Sequence, residues 1–444
     1  MSHLRLVPSF ALAGGVLFFG VAGPFADTAA PATTPAAIDA SGDPSDRPST
    51  GSGRTDFESA PDPQALEAPT AEADAAAHRA MGAAASPFPA MGQRRIDPIS
   101  GRYVAPIGAG RATLTLDPAL QDRLDRFLAS YGMPFGAVVV LEPSTGRVLA
   151  MAEHSKAEPD ARDLSLRALA PAASIFKIVT ASALLRQGVP PDEEVCYHGG
   201  RHRLKPGLLE DDPRRDHRCT TLSTAMGKSV NVVFAKLASR GLTAAALRAE
   251  AGKFLFDAAI PFARPVEISK ANVPDDEFGL ANTAAGFGDV RLSPLHGALI
   301  AAIVANGGLY VPPVLVDAVA GATVPPVAEA RRVVEEDVAK ALADMMETTV
   351  TEGTARRAFR RAGGPSLRDV TIAGKTGSLA EKDPFRDYSW FVGFAPVENP
   401  RIAVAAVVVN GPVWRVKAST VAREAFAAAL KTRAGAGMQT ASAK

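Results

Sequence analysis

In the stretch PAASIFKIVTASALLRQG, Ser174 and Lys177 stand three residues apart. On a helix that spacing puts both side chains on one face, within reach of each other. Such a pair can serve as nucleophile and general base, provided that the lysine gives up its proton. Two further stretches carry groups that would complete the chemistry. KSVN places Ser229 two residues before Asn231, and GKTGS sets Lys375, Thr376, Gly377 and Ser378 in a row. Burial of Lys177 and a second cation nearby, for which Lys375 is the candidate, would both lower its pKa. Ser229 could relay a proton toward a leaving amine, and the Asn231 amide could donate to a substrate carbonyl. Lys375 and the hydroxyls of Thr376 and Ser378 could grip a carboxylate.

Taken singly, each motif is weak, because short spacings of common residues arise by chance in a chain of 444 residues. Their order and placement carry the weight. Ser174 opens an apolar run that Gly188 closes, the pattern of a helix start and stop. SVNVVFAKLASRG opens a second predicted helix, and GKTGS ends a predicted strand. A serine in a first helical turn gains the partial positive charge of the N-terminus and N–H groups that can hold an oxyanion. On an edge strand, the small Gly374 and Gly377 would let a peptide lie alongside as an added strand.

Other elements must hold these groups in place. Asp117 and Pro118 cap a helix with Leu120, Leu124 and Phe127 at helical spacing. GAVVVLEPSTGRVLAMAE reads as an antiparallel hairpin turned by PSTG. Ser293 and Pro294 start a helix that the glycines after Asn306 end. DVTIAGKTGSL, YSWFVGFAPV and RIAVAAVVVN read as a three-stranded meander, and STVAREAFAAALKT as a closing amphipathic helix. Strands at both ends with helices between predict an α+β fold, one sheet built from distant parts with helices on its faces. The GFG at Gly286 to Gly288 has Arg291 where a third glycine would stand, so a dinucleotide-binding loop is rejected.

The net charge of +1 provides no global field that would select nucleic acid or an acidic surface as partner. A hydrophobic fraction of 47% supports a substantial core. From Leu6 to Ala26 the chain carries no charge, long enough to cross a bilayer. Residues 1–26 are thus an N-terminal membrane anchor or a cleaved signal segment. The absence of a clean small-x-small triplet favours the anchor, and either reading exports the rest of the chain. Residues 27–112, rich in Ala, Pro, Asp, Ser, Thr and Gly, are expected to be a disordered tether with a span of roughly 50 Å. Residues 433–444 are expected to be a disordered tail. Cys196 and Cys219, in an exported chain, are expected to form a disulfide around a charged loop. Unpaired cysteines are one alternative, and a zinc site using them with His198, His202 and His217 is another, but its spacing matches no standard zinc pattern. No metal and no cofactor are expected.

The three motifs and their flanks, from TLDPALQ through AAGFGDVRLSPLHGALIAAIVANGG and TEGTA to YSWFVGFAPVENPRIAVAAVVVN, resemble the transpeptidase domain of penicillin-binding proteins. The resemblance runs over 113–432. It implies an antiparallel five-stranded sheet sandwiched by helices, with an all-helical subregion and the site between them. It further implies Ser174 as the acylated nucleophile, Lys177 as its base, and Ser229 and Asn231 as the cleft's other side. Lys375, Thr376, Gly377 and Ser378 would form the strand wall, and the N–H groups of Ser174 and Ser378 the oxyanion hole. The implied activity is D,D-transpeptidation of peptidoglycan stem peptides through a serine acyl-enzyme, with β-lactam antibiotics as covalent inhibitors. The implied setting is the outer side of the membrane, beside the cell-wall synthesis machinery. Glycan polymerisation is not expected, because 1–112 is too poor in apolar residues for a folded glycosyltransferase. A D,D-carboxypeptidase, using water as acceptor, is the alternative. A β-lactamase would need a deacylating glutamate, and EFGLAN from Glu277 is out of register for one. A non-catalytic β-lactam sensor or scaffold is disfavoured by the intact motifs.

Overall fold

The strand IAVAAVVVN is buried at every position, and a strand that is apolar throughout must be covered on both faces. The computed structural model describes residues 88–441, apart from 201–202, 322–328, 361–366, 368 and 383, with only backbone described from 432 onward. In chain order the elements begin with β1 (Arg95–Ile96), β2 (Tyr103–Ile107), β3 (Gly110–Leu114), α1 (Pro118–Tyr131), β4 (Phe135–Leu141) and β5 (Val148–Ser155). A helical stretch follows: α2 (Lys177–Arg186), the ribbon β6 (Glu194–Tyr197) and β7 (Arg218–Thr221), then α3 (Leu222–Lys228), α4 (Asn231–Gly241), α5 (Ala244–Lys253), α6 (Glu277–Ala284) and α7 (Pro294–Ala305). The chain closes with β8 (Val316–Val319), α8 (Glu336–Thr351), β9 (Ala373–Lys382), β10 (Phe385–Ala395), β11 (Ile402–Asn410) and α9 (Ala418–Ala441).

The main sheet runs β9-β10-β11-β4-β5, antiparallel throughout. Its two-residue period sorts the side chains into two cores. Val138, Val140, Val404, Ala406 and Val408 pack with Leu120, Leu124 and Leu128 of α1 and Val421 and Phe426 of α9. Ala137, Val139, Leu141, Ala403 and Ala405 face the other way, toward Leu295, Ala298 and Leu299 of α7. Helix α7 is buried from Pro294 to Val304, because it lies under the sheet with helices on its far side. The predicted α+β sandwich, hairpin, meander and caps are all present. Asp117 accepts from Leu120 N at 2.9 Å and Ser293 from His296 N at 3.3 Å.

Three boundaries differ from expectation. Residues 95–112, expected within the tether, form β1, β2 and most of β3, which join β8 in a second sheet of order β1-β2-β3-β8. Few apolar residues suffice there because the distant partner supplies the rest of the core: Ala105, Ala112 and Leu114 pack with Leu315 and Val316. Arg102 and Arg147 both pair with Asp317 of β8. At the other end, α9 continues to Ala441, through part of the expected tail, because no proline interrupts its alanine-rich sequence. Finally, β9 does not end at the GKTGS motif but runs on to Lys382, paired along its length with β10. The expected anchor and the tether up to residue 87 lie outside the described residues. Among the described residues no helix is long and apolar enough to cross a membrane.

The second sheet makes a test of the domain boundary. A chain starting at residue 88 should melt cooperatively, whereas one starting at 115 leaves β8 without its partner and should lose several degrees in Tm. Equal melting temperatures by circular dichroism would show that β1 to β3 do not support the domain.

Candidate active site

The chain enters the site under restraint. Trp390 Nε1 on β10 donates to Pro171 O at 2.9 Å, and Ala172 N to Val290 O at 2.8 Å. Ala173 then adopts a positive φ of 48°, a left-handed conformation that costs an alanine on the order of 1–3 kcal/mol. Ser174 follows in a 3-10 turn, Ala173–Phe176, and α2 begins only at Lys177. The expected helix start is therefore a tighter turn, without a side-chain cap. A 3-10 turn eclipses residues three apart, and it brings Lys177 Nζ to 2.9 Å from Ser174 Oγ.

Lys177 is fully buried. Its amine also meets Asn231 Oδ1 at 2.8 Å and the carbonyl of Ala285. A neutral amine has two N–H donors and one lone pair. The same three oxygens could accept from an ammonium, but none of them carries a charge to hold one; with the amine neutral, two accept its N–H groups and the Ser174 hydroxyl donates to its lone pair. Burial, and after it the charge of Lys375, holds Lys177 well below the usual lysine range.

Lys375, also fully buried, donates to Ser229 Oγ and to Thr376 O, each at 2.9 Å. Burial pulls it down to about 7. Ser229 takes a left-handed conformation (φ 55°) at the end of α3. The chain turns there so that Asn231 can open α4 with its side chain toward Lys177. On β9, a free edge of the sheet, Ser378 is exposed and Thr376 half-buried. A Cβ at Gly377 would press at 3.3 Å on Ala172 O, and one at Gly374 would enter the Phe391 ring at 2.3 Å. These glycines let β9 lie against the Ser174 turn and over the core.

All eight residues singled out for the chemistry thus come together. Others in the site went unassigned in the sequence. The GFG turn packs behind Ser174: a Cβ on Gly286 would lie 2.5 Å from Ala173 O, and Ala285 supplies the carbonyl that Lys177 uses. Gly353 crosses Gly227 so closely that a Cβ would lie 2.0 Å from its carbonyl oxygen. This crossing sets Thr354 Oγ1 at 2.5 Å from Thr376 Oγ1. Only the clustering of small residues in AAGFG and TEGTA signalled such close approaches.

Cys196 and Cys219 form a disulfide between β6 and β7. With both sulfurs bonded to each other, no thiolate remains for zinc. His198 instead bonds Asp216 through Nδ1 at 2.5 Å, and His202 lies outside the described residues. The charged loop is anchored rather than free. Lys236 on α4, fully buried, donates to Asp216 at 2.6 Å, to Asp211 at 3.0 Å and to Cys196 O at 3.1 Å. Burial acts to raise the Asp216 carboxyl, but hydrogen bonds from Lys236 and His198 outweigh it and hold the group below the usual carboxylate range.

A serine hydroxyl paired with a buried neutral amine, set at a sheet edge beside a second cation, is the arrangement of a serine–lysine acyl-transferring enzyme. The penicillin-binding protein transpeptidase domain matches residues 136–431. The chain belongs to that family. It is 31% identical over 364 residues to the peptidoglycan D,D-transpeptidase PbpA of Mycobacterium tuberculosis, covering 72% of this chain and 71% of that one. The crystal structure of that organism's PBPA superposes with a TM-score of 0.60 at 26% identity, covering 73% and 82% of the two chains. Its imipenem acyl-enzyme complex does so at 28% identity and 0.60, covering 75% and 82%. The D,D-transpeptidase domain of an Eggerthella lenta peptidoglycan glycosyltransferase matches at 26% identity and 0.61, covering 73% and 84%.

Two predictions follow from the buried lysines. Lys375 titrates at about 7 when folded but at about 10.4 when unfolded. Between those values the unfolded chain binds more protons, so this group's contribution to stability rises with pH. The rise in Tm from pH 7 to 9.5 should therefore be steeper in the wild type than in Lys375→Met, and equal slopes would show Lys375 charged in the fold. Lys236→Met leaves Asp216 buried without its partner and should cost about 3–5 kcal/mol in denaturant unfolding. A loss below 1 kcal/mol would mean that the loop does not rely on this pair.

Proposed function

We propose that the chain is a serine D,D-transpeptidase that cross-links peptidoglycan stem peptides through an acyl-enzyme on Ser174 and is acylated by β-lactams. The carrying observation is the fully buried Lys177 Nζ, 2.9 Å from Ser174 Oγ and without a carboxylate partner among the described residues, an environment that leaves the amine free to take the hydroxyl proton. The relatives support the substrate: PbpA is named a peptidoglycan D,D-transpeptidase, and its solved structures include an imipenem acyl-enzyme complex.

Lys177 takes the Ser174 proton as Oγ attacks the carbonyl carbon of the penultimate D-Ala. The N–H groups of Ser174 and Ser378 receive the developing oxyanion. The C–N bond then breaks, and the leaving D-Ala nitrogen gains a proton through Ser229, whose hydroxyl Lys375 orients at 2.9 Å. Lys375, Thr376 and Ser378 hold the terminal carboxylate, with Thr354 buttressing Thr376. That carboxylate favours the charged form of Lys375 and so carries its titration above 7. Asn231 holds Lys177 and offers its amide to the substrate. An acceptor amine then attacks the ester and releases Ser174 with its proton restored. In a β-lactam the leaving nitrogen stays tethered to the acyl group, so it blocks the acceptor's approach.

Rapid deacylation by water has little support in this cleft. Glu277, the nearest sequence approach to a deacylating glutamate, is exposed and bonds Ser239 on α4. Attachment to the membrane through 1–26, with the catalytic domain outside, rests on the uncharged run from Leu6 to Ala26.

Incubation with a fluorescent penicillin should label the wild type with an adduct stable for hours, and Ser174→Ala should not label. A wild type that stays unlabelled sinks the enzymatic reading, while an adduct lost within minutes would make the protein a β-lactamase. With a stem-peptide substrate, peptide dimers are the expected product, and monomers shortened by one D-Ala alone would make it a carboxypeptidase.

A further inference from the structure

Immediately after Thr354 a short helix, Arg356–Arg360, carries three exposed guanidinium groups, those of Arg356, Arg357 and Arg360. They line a recess of about 570 Å³ together with Glu352, Gly353 and Thr354. None of the three is ion-paired among the described residues, and Glu352 is the one acid in the lining. Three positive charges against one negative are a surplus that neither the fold nor the acylation chemistry uses.

The recess has a defined place in the cleft. Thr354 touches Thr376 at 2.5 Å, and Thr354 N donates to Gly227 O at 3.1 Å, two residues before Ser229. It therefore opens beside the groups that hold the substrate's terminal carboxylate and protonate the leaving nitrogen. In acyl transfer through an ester, the attacking amine enters where the leaving amine departed, since deacylation by an amine is acylation run backwards. The acceptor must then approach over this side of the cleft. The donor's single terminal carboxylate is already served by Lys375, Thr376 and Ser378, so the arginines are free for a second chain.

We propose that Arg356, Arg357 and Arg360 form the docking surface for the acceptor stem peptide, whose free carboxylates they bind while its amine is presented to the Ser174 ester. Guanidinium groups suit this role, because they pair with carboxylates in a forked geometry and remain charged at any working pH. This deepens the transpeptidase reading and rests on it. A β-lactam brings no acceptor, so its acylation should be indifferent to the patch.

The test uses the full-length protein, a stem-peptide donor ending in D-Ala-D-Ala, and an acceptor peptide supplied with free or with amidated carboxylates. The triple variant Arg356→Gln, Arg357→Gln, Arg360→Gln should raise the acceptor KM about tenfold, the sum expected of three exposed pairs. Its rate of penicillin acylation should stay within about twofold of wild type, as expected when exposed charges away from the reacting groups are changed. Amidating the acceptor should impose a similar penalty on the wild type and little more on the variant. An unchanged acceptor KM overturns the proposal, as does a variant penalty that persists with the amidated acceptor. So does a parallel loss of penicillin acylation, which would make the patch part of the donor site. Loss of binding to vesicles of anionic phospholipid, with acceptor KM unchanged, would assign the arginines to a membrane surface instead. Failure of the transpeptidase reading is separate, because it shows as a wild type that penicillin does not label.

Discussion

A lysine amine sealed from water must either find counter-charges or surrender its proton, because carrying an unpaired charge there costs several kcal/mol. Lys177 takes the second course, and the site is built around that outcome. Three helical elements meet at its nitrogen: the first residue of α2 (Lys177 itself), the first residue of α4 through Asn231, and the carbonyl of Ala285 just after α6. Each contributes to placing the nitrogen, and none brings a counter-charge that would hold the proton on it. A carboxylate in place of Asn231 would favour the ammonium and remove the base. The amide of Asn231 therefore serves the lysine as well as the substrate.

Holding Ser174 beside that nitrogen takes strain and close crossings. Ala173 is bent into a left-handed conformation, the Gly286 turn presses against it from behind, and Trp390 ties Pro171, two residues earlier, to the sheet. These restraints come from β10 and the α6–α7 connection, elements far apart in the chain. The hydroxyl is thus fixed by its surroundings rather than by local helix geometry, as preorganised catalysis requires. The strained residue is affordable because the sheet and α7, buried throughout, are rigid neighbours.

Local patterns made much of this visible beforehand. The i, i+3 spacing placed Ser174 with Lys177, alternation and PSTG gave the β4–β5 hairpin, and Asp117 and Ser293 marked helix starts that the structure repeats. The joining of Ser174, Lys177, Ser229, Asn231 and Lys375 into one cleft came from order and flanks, through the family resemblance, and not from any single motif. What stayed hidden acts through backbone or through distance. Ala285 contributes only a carbonyl, which every residue has, so its identity signals nothing. Thr354 matters because Gly353 crosses Gly227, a contact between α3 and the end of α8 that no window of sequence contains. The strand residues up to 112 were absorbed into an Ala- and Pro-rich average, since their apolar partners lie on β8.

The charged loop between the cysteines shows how far environment, and not residue type, decides what a lysine does. Lys177 and Lys236 are both fully buried, and Lys236 lies on the same α4 that presents Asn231 to Lys177. Around Lys177 stand a carbonyl, an amide, a hydroxyl and another lysine, and the amine is left neutral and basic. Around Lys236 stand Asp211 and Asp216, with His198 steadying the second, and the result is an ion pair that ties the loop to the helix. The disulfide closes the same loop at its base. A loop fastened at both points to α4 and its neighbouring ribbon limits how far α4 can shift. A shift of α4 would carry Asn231 away from Lys177 and leave that amine one acceptor short. The ion pair at Lys236 thus supports, from one side of the helix, the hydrogen bond that orients Lys177 Nζ on the other.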